Sequence, residues 1–372
     1  MEQYVASHLK TMNRRVIYRY ISGQRETSRA EIEKATGISA PTVMKAVEFL
    51  IGSGLVSSLG ESKAAAVGRR PTMLKINDKA FYTLAFVLEG EFLIMGVVDS
   101  TRHVTYQKTV RAEYPFDKAW EAIAERYTDD MIREAAVPED RIAGIGIALP
   151  ATLDRERMMI GVSPLVGIDS PVMMAEKTEA LSRKYHTSVF LENDANAYCL
   201  GESILRGEEE NGDMVFISVG TGIGAGIMLD GKLLRGKSGK AGEIGVSRIA
   251  YTGGSDSTLE GFAGYEAVTR HFGLSGFENI TERTAAAVSD YLARPIAAAA
   301  NNSGVLLGCD NIIIGGVLAR ALGNGFVSKI NNELQHMNAN LSVLKSVSDD
   351  GGLIGIANEV TEKRIAAIIS AE

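Results

Sequence analysis

SRAEIEKATGISAPTVMKAVEFLIGSGLV, residues 28–56, holds two short helical periods separated by a glycine, and it decides the N-terminal fold. Ser28 precedes the first period and Glu31 follows three residues later. This is the pattern of a capping box, in which each side chain satisfies a backbone donor that the helix leaves open. Gly37 ends that helix and permits the tight turn that helix-turn-helix units place between their helices. Ser39-Ala40-Pro41-Thr42 then opens a second helix with a cap and a first-turn proline. Val43, Val47 and Leu50 share one buried stripe of that helix, which turns Pro41 and Lys45 away from the core and sets Thr42 and Met44 on the flanks. A recognition helix offers such positions to the major groove, and the candidates for DNA contact are Ser39, Pro41, Thr42 and Lys45.

Upstream, residues 12–22 place Val16, Ile17, Tyr20 and Ile21 at helical spacing, with Arg14, Arg15 and Arg19 facing outward. Downstream, Leu55-Val56-Ser57-Ser58 and residues 71–76 read as two strands around the loop GESKAAAVGRR, a β-hairpin wing. Arg69 and Arg70 lie at the base or edge of that wing, where paired arginines suit phosphates or a narrow minor groove. Charge agrees with this reading. Residues 1–80 hold 13 Lys and Arg against 7 Asp and Glu, whereas the remainder holds 26 against 39. A basic module on an acidic body expects a nucleic-acid contact confined to one end, with operator DNA as the partner.

The 372 residues exceed one ordinary domain, and no apolar run reaches the roughly 18 residues that span a bilayer. The polar N-terminus lacks a secretory signal, so the expected compartment is the cytoplasm, without a membrane partner. Cys199 and Cys309 stand far apart, which excludes a disulfide framework and a cysteine-rich zinc site.

From about residue 77 strands and helices alternate, the texture of α/β architecture. Residues 81–88 and 92–99 read as a strand pair extended by 104–111, followed by a helix near 116–136 and a buried strand at 142–149. A second unit starts near Asn196, with a strand at 214–219, helices through much of 258–308, a strand at 311–314 and a closing helix from about 355. The expected units are 1–76, 77–195 and 196–354, with the helix at 355–372 packing back on the first lobe. Two segments carry chemistry. Glu192-Asn193-Asp194-Ala195-Asn196-Ala197 follows an apolar strand, where α/β proteins bind ligands, and an Asn-Asp pair can bond vicinal hydroxyls. Gly220-Thr221-Gly222-Ile223-Gly224-Ala225-Gly226 either frees N–H groups for an anion or lets two strands turn tightly.

In this order, LENDANAYCLGE, SVGTGIGAGIMLDGKLLRGKSGKAGEIG, STLEGFAG and NIIIGGVLARAL resemble the ROK family of repressors, open reading frames and sugar kinases. Together with the N-terminal module they resemble its DNA-binding branch. The resemblance implies a winged helix-turn-helix followed by a two-lobed actin/ribonuclease-H-like domain with a sugar in its cleft. It implies sugar contacts by Asn193 and Asp194, the latter also matching the kinase general base, and further carboxylates at Glu243 and Glu260.

Departures from the family set the remaining expectations. Where family kinases carry an Asp-x-Gly-Gly-Thr phosphate turn, this chain has Val87-Leu88-Glu89-Gly90-Glu91, and two carboxylates there repel a triphosphate. The family's zinc ligands are matched by Val246 and by Tyr251-Thr252-Gly253-Gly254-Ser255-Asp256-Ser257-Thr258, none of which fits a closed zinc site. The chain is therefore expected to be non-catalytic, with neither metal nor cofactor. Because the family's missing His also touches sugar, a phosphorylated, deoxy or bulkier ligand is open. The leading expectation is a dimeric or tetrameric sugar-responsive repressor. The alternatives are a sugar kinase with an accessory DNA-binding domain and a ligand-independent DNA-binding protein.

Overall fold

A computed structural model describes residues 2–61, 71–207, 212–248 and 258–371. The chain opens with helices α1 (Glu2–Ser22), α2 (Arg29–Thr36) and α3 (Ala40–Gly52). Strands β1 (Thr27–Ser28), β2 (Val56–Glu61) and β3 (Thr72–Ile76) form an antiparallel sheet in the order β1-β3-β2. The Ser28–Glu31 capping box forms at the start of α2, and Gly37 closes that helix in the left-handed conformation. Ser39 precedes α3 but makes no capping bond; its hydroxyl lies 3.0 Å from that of Thr42. Ile17, Ile21, Ile32, Val43, Val47, Leu50, Leu55 and Leu74 fill the core of this winged unit.

The reading of α1 needs correction. Val16 is exposed, Tyr18 takes a core place, and Arg14 is buried rather than outward. The reason is a distant element, the C-terminal helix, whose end packs on this face. Arg69 and Arg70 lie outside the described residues.

The first lobe comprises β4 (Tyr82–Glu89), β5 (Phe92–Asp99), β6 (Val104–Arg111) and β7 (Ile142–Leu149), with a small sheet of β8 (Leu153–Asp154), β9 (Met159–Ile160) and β10 (Val172–Met173). Between β6 and β7 run α4 (Phe116–Ala122) and α5 (Thr128–Glu134), joined through a π-turn. Helix α6 (Ala175–Tyr185) leads into β11 (Ser188–Asn193). The main sheet runs β11-β7-β4-β5-β6, parallel from β11 to β4 and antiparallel from β4 to β6.

The chain crosses to the second lobe along α7 (Asp194–Arg206), which begins two residues before the expected unit boundary. Strands β12 (Met214–Val219), β13 (Ile223–Leu229) and β14 (Lys232–Leu233) precede helices α8 (Leu259–Ala263), α9 (Tyr265–Phe272) and α10 (Glu282–Leu307). Next come β15 (Ile312–Gly315), α11 (Val317–His336), β16 (Val343–Lys345) and α12 (Gly351–Ser370). The second sheet runs β14-β13-β12-β15-β16.

Helices α7 and α12 lie between the two sheets, and glycines make the space. A Cβ on Gly96, Gly144 or Gly146 would meet Leu353, Val360 or Ile356 of α12 at 2.8 Å or less, and one on Gly226 would meet Cys199 of α7 at 2.3 Å. Ala85 and Val87 of the first sheet share one core with Phe216 and Met228 of the second. The closing helix packs on β4, β5 and β7 of the first lobe and on α7, and it starts at Gly351, not near 355.

Candidate functional site

Strand β11 delivers Asn193 to its C-terminal end as the N-cap of α7. Its side-chain oxygen accepts from the Asn196 N–H at 3.1 Å, and its amide nitrogen donates to the Ala151 carbonyl at 3.3 Å. Each amide atom keeps one further bonding position for a ligand. Asp194 follows in the first turn of α7 and accepts from the Ala195 N–H at 2.8 Å. Burial, joined by Glu89 and Glu243, pushes its carboxyl up to about 7 against the pull of that backbone bond. A carboxyl poised there can take a proton from a bound hydroxyl or donate one to it.

Glu243 and Glu260 come from the second lobe, and they interact with each other. Local desolvation raises the Glu243 carboxyl first and Glu260 raises it next, while Lys240 pulls it back. Glu260 has a defined structural task as well: its Oε2 accepts from the Ile223 N–H at 3.2 Å, tying α8 to the glycine turn before β13. A Cβ on Gly245 would lie 2.8 Å from that oxygen, so the GEIG segment needs its second glycine to pass Glu260. Asp194 feels Glu243, and Glu243 feels Glu260, so these three carboxylates of the two lobes lie within electrostatic reach of one another.

The sequence reading missed the carboxylate beneath this pole. Glu192 is 2% exposed, and its Oε1 accepts from the Asn193 N–H and from the Asn196 amide at 3.0 Å each. Its Oε2 accepts from Arg235 Nε at 2.8 Å and sits 4.0 Å from Arg155. Arg235 follows β14, so Glu192 fastens the β11–α7 turn of one lobe to the other. Only the segment's position after an apolar strand pointed here. The two arginines, 37 residues before and 43 after, leave no local signature.

At the opposite pole the β4–β5 turn, Gly90-Glu91, faces the β12–β13 turn. A Cβ on Gly90 would lie 2.7 Å from the Thr221 hydroxyl, so the two turns touch. Glu89, 5% exposed, accepts from the Tyr198 hydroxyl at 2.7 Å and from Arg320 Nη2 at 2.5 Å. Tyr198 lies on α7 and Arg320 on α11. Burial works against the Arg320 charge, yet Glu89 and Tyr198 hold its pKa above the ordinary value. Glu91 accepts from the Tyr265 hydroxyl of α9 at 3.1 Å and pairs with Arg111 at 3.2 Å. Val87 is wholly buried in the inter-sheet core. Both carboxylates of this turn therefore bond out of their own sheet, Glu89 to Tyr198 and Arg320 and Glu91 to Tyr265.

In the N-terminal unit Ser39, Pro41 and Lys45 are exposed at the head of α3 with Met44, and Thr42 is half-buried. Val246 is exposed, while Tyr251–Ser257 lie outside the described residues. Among the described residues no group of His, Cys, Asp and Glu could hold a metal ion, and no helix is long and apolar enough to cross a membrane.

Comparison with known proteins places this geometry. The xylose repressor of Bacillus subtilis is 27% identical over 251 residues, 66% of this chain and 62% of that protein. The xylose repressor of Caldicellulosiruptor bescii is 27% identical over 70% of this chain and 65% of its own length. The chain therefore spans less than two thirds of the curated relatives it matches. A crystal structure of a ROK family transcriptional regulator, a homologue of the Escherichia coli MLC protein, superposes with a TM-score of 0.73 at 21% identity, covering 97% of this chain and 98% of that one. A ROK family glucokinase from Streptomyces griseus, in complex with glucose and AMPPNP, gives a TM-score of 0.62 at 21% identity over 75% of this chain and 98% of its own. The family model described as "ROK family" matches residues 90–363, nearly three quarters of the sequence, and the chain belongs to that family.

Proposed function

We propose that the chain is a sugar-responsive, DNA-binding transcriptional regulator, a repressor of carbohydrate-metabolism genes, whose kinase-like body senses its ligand without phosphorylating it. The observation that carries this reading is the Glu89–Arg320 pair at the turn where family kinases hold phosphate. A buried anion already paired to the opposite lobe leaves neither room nor positive charge for a triphosphate, and phosphoryl transfer depends on both. The winged unit supplies the output, with Ser39, Pro41, Thr42 and Lys45 on the major groove and Arg69 and Arg70 on the backbone or minor groove. Asn193, Asp194, Glu243 and Glu260 bind the sugar hydroxyls. The units are 1–76, 77–195 and 196–354, with the last helix returning to the first lobe. The protein acts in the cytoplasm as a homodimer or tetramer, whose paired winged units match a near-palindromic operator.

Gel-shift titration on DNA upstream of the protein's own gene, with D-xylose, D-glucose and N-acetyl-D-glucosamine, tests the reading. One sugar is expected to change operator affinity, and a flat response to all three removes the sensing claim. The kinase reading has its own support, because Asp194 keeps a carboxyl near neutrality beside an intact Gly220–Gly226 turn. Coupled ADP release with the same sugars separates the two, and turnover abolished by Asp194→Asn would overturn the non-catalytic reading.

A further inference from the structure

The core of the winged unit is completed by the far end of the chain. Ile365 and Ile369 of α12 are buried among Ile17, Tyr18, Ile21, Val43, Val47 and Leu50. Arg14 fixes the contact. Its Nη1 donates to the Ile369 carbonyl at 2.9 Å and to the Ala371 carbonyl at 2.8 Å, capping the end of α12. The same guanidinium stacks on the ring of Phe49, 3.2 Å from its centroid, and Phe49 belongs to the recognition helix α3. A cation at a helix C-terminus and over an aromatic face is favourable on both counts. One side chain therefore touches α12 and α3 together.

The other end of α12 is joined as firmly to the cleft. A Cβ on Gly201 would fall 1.8 Å from the Gly351 carbonyl oxygen, and one on Gly355 would fall 1.8 Å from that of Ala197. Helices α7 and α12 thus meet backbone to backbone, with no side chain between them to absorb a displacement. Asn193 and Asp194 open α7. Level with them on α12 stands Glu359, which accepts from Arg155 Nη2 at 2.5 Å, and Arg155 leads to Glu192 beneath Asn193. From Glu359 to Ile369 is ten residues of continuous helix, ~15 Å of rigid rod. Around that rod the two bodies are not closely packed: a cleft of about 1230 Å³ separates Arg15 and Arg19 of α1 from Ser203 and Gly207 at the end of α7.

We infer that α12 is the element through which occupancy of the cleft reaches the recognition helix, with Arg14 as its far joint and Glu359 as its near one. The inference rests on the sugar-sensing reading above and names how that site is read out. A ligand on Asn193 and Asp194 shifts the start of α7. The shift passes to α12 through the glycine contacts, held in register by the Glu359–Arg155 pair, and tilts α3 through Arg14 and Phe49. Coupling of this kind is a free energy between two sites, and it can be lost while each site still binds.

The test measures operator affinity with and without D-xylose, D-glucose or N-acetyl-D-glucosamine, and sugar affinity by calorimetry, in wild type, Arg14→Ala and Glu359→Gln. Wild-type coupling is expected within the ordinary range of about 5- to 150-fold. Both variants are expected to bind sugar with wild-type affinity while the coupling drops below about twofold. Hydrogen exchange in residues 40–52 should respond to sugar in wild type and not in the variants. If Arg14→Ala fails to fold, Glu359→Gln decides alone, because it lies outside the winged unit. Variants that bind sugar and keep the full wild-type coupling overturn the inference and leave the sensing reading intact. A wild type that answers to no sugar overturns both.

Discussion

The two poles of the interlobe cleft have the same construction, a turn from the first lobe facing a segment of the second, but their charges are used in opposite ways. At the β11–α7 pole, burial first and then Glu89 and Glu243 push the Asp194 carboxyl up to about 7, and Lys240 is the cation that tempers Glu243. At the β4–β5 pole, Glu89 has its own guanidinium and Tyr198. Glu89 fastens the lobes through Oε2, which takes both Tyr198 and Arg320, while its buried Oε1 has no hydrogen-bond partner among the described residues. On the proposed reading the first pole takes the hydroxylated ligand, and the second holds the lobes together through Glu89, Tyr198 and Arg320.

Breaking the fastening should give the largest effect. Glu89→Ala leaves Arg320 with its charge largely buried and its main partner gone; removing one member of such a pair costs about 3 kcal/mol. Urea unfolding is expected to show that loss. Combining Glu89→Ala with Arg320→Met should recover more than half of it, since no charge is then stranded. A Glu89→Ala protein as stable as wild type would show that the pair contributes nothing.

The acidic pole predicts a pH effect with a definite sign. In the unfolded chain Asp194 titrates near its ordinary value of 3.8, and in the folded protein near 7. Between these values the native state binds more protons than the unfolded one, so this group's contribution to stability falls as pH rises through that window. Asp194→Asn, which imitates the protonated form, should therefore flatten the dependence of Tm on pH between 4 and 7. At pH 8 it should stabilise the unliganded protein by roughly 1–3 kcal/mol while weakening sugar binding. A variant whose Tm follows the wild-type pH profile sinks the assignment.

How much of this was legible in the sequence follows the range of each interaction. The Ser28–Glu31 box and the left-handed Gly37 involve neighbours three to six residues apart, and both appear in the structure as read. The two main sheets followed from strand periodicity. Arg14 was placed outward because a helical wheel contains only its own helix, whereas its partners lie at 369 and 371. Gly351 and Gly352 lie before the expected start of the closing helix near 355. They are in fact its first residues, and a Cβ on Gly352 would lie 2.9 Å from the Tyr198 ring of α7. At the site, Asn193 and Asp194 stood out because they end an apolar strand. Glu89 was seen as a lost phosphate turn, but its partner Arg320 lies 231 residues away and nothing local pairs them.

Tyr265 offers the smallest and most selective probe of the contrast between the poles. Its hydroxyl donates to Glu91 at 3.1 Å, at a turn where Arg111 already pairs with the same carboxylate. Glu91 and Arg111 both reach solvent, so water can replace the lost donor. Tyr265→Phe should therefore cost only about 0.5–1.5 kcal/mol, the net worth of one hydrogen bond. The ring remains edge-on against Phe277, so packing is unchanged and the loss is electrostatic alone. Because the contact joins α9 to the β4–β5 turn, the variant should loosen the closed lobes without touching Asp194. Calorimetry should then find sugar affinity within about twofold of wild type, and urea unfolding a small, reproducible loss. A larger loss of sugar affinity than of stability would mean that the two poles are not separable, and that the fastening shapes the sugar site itself.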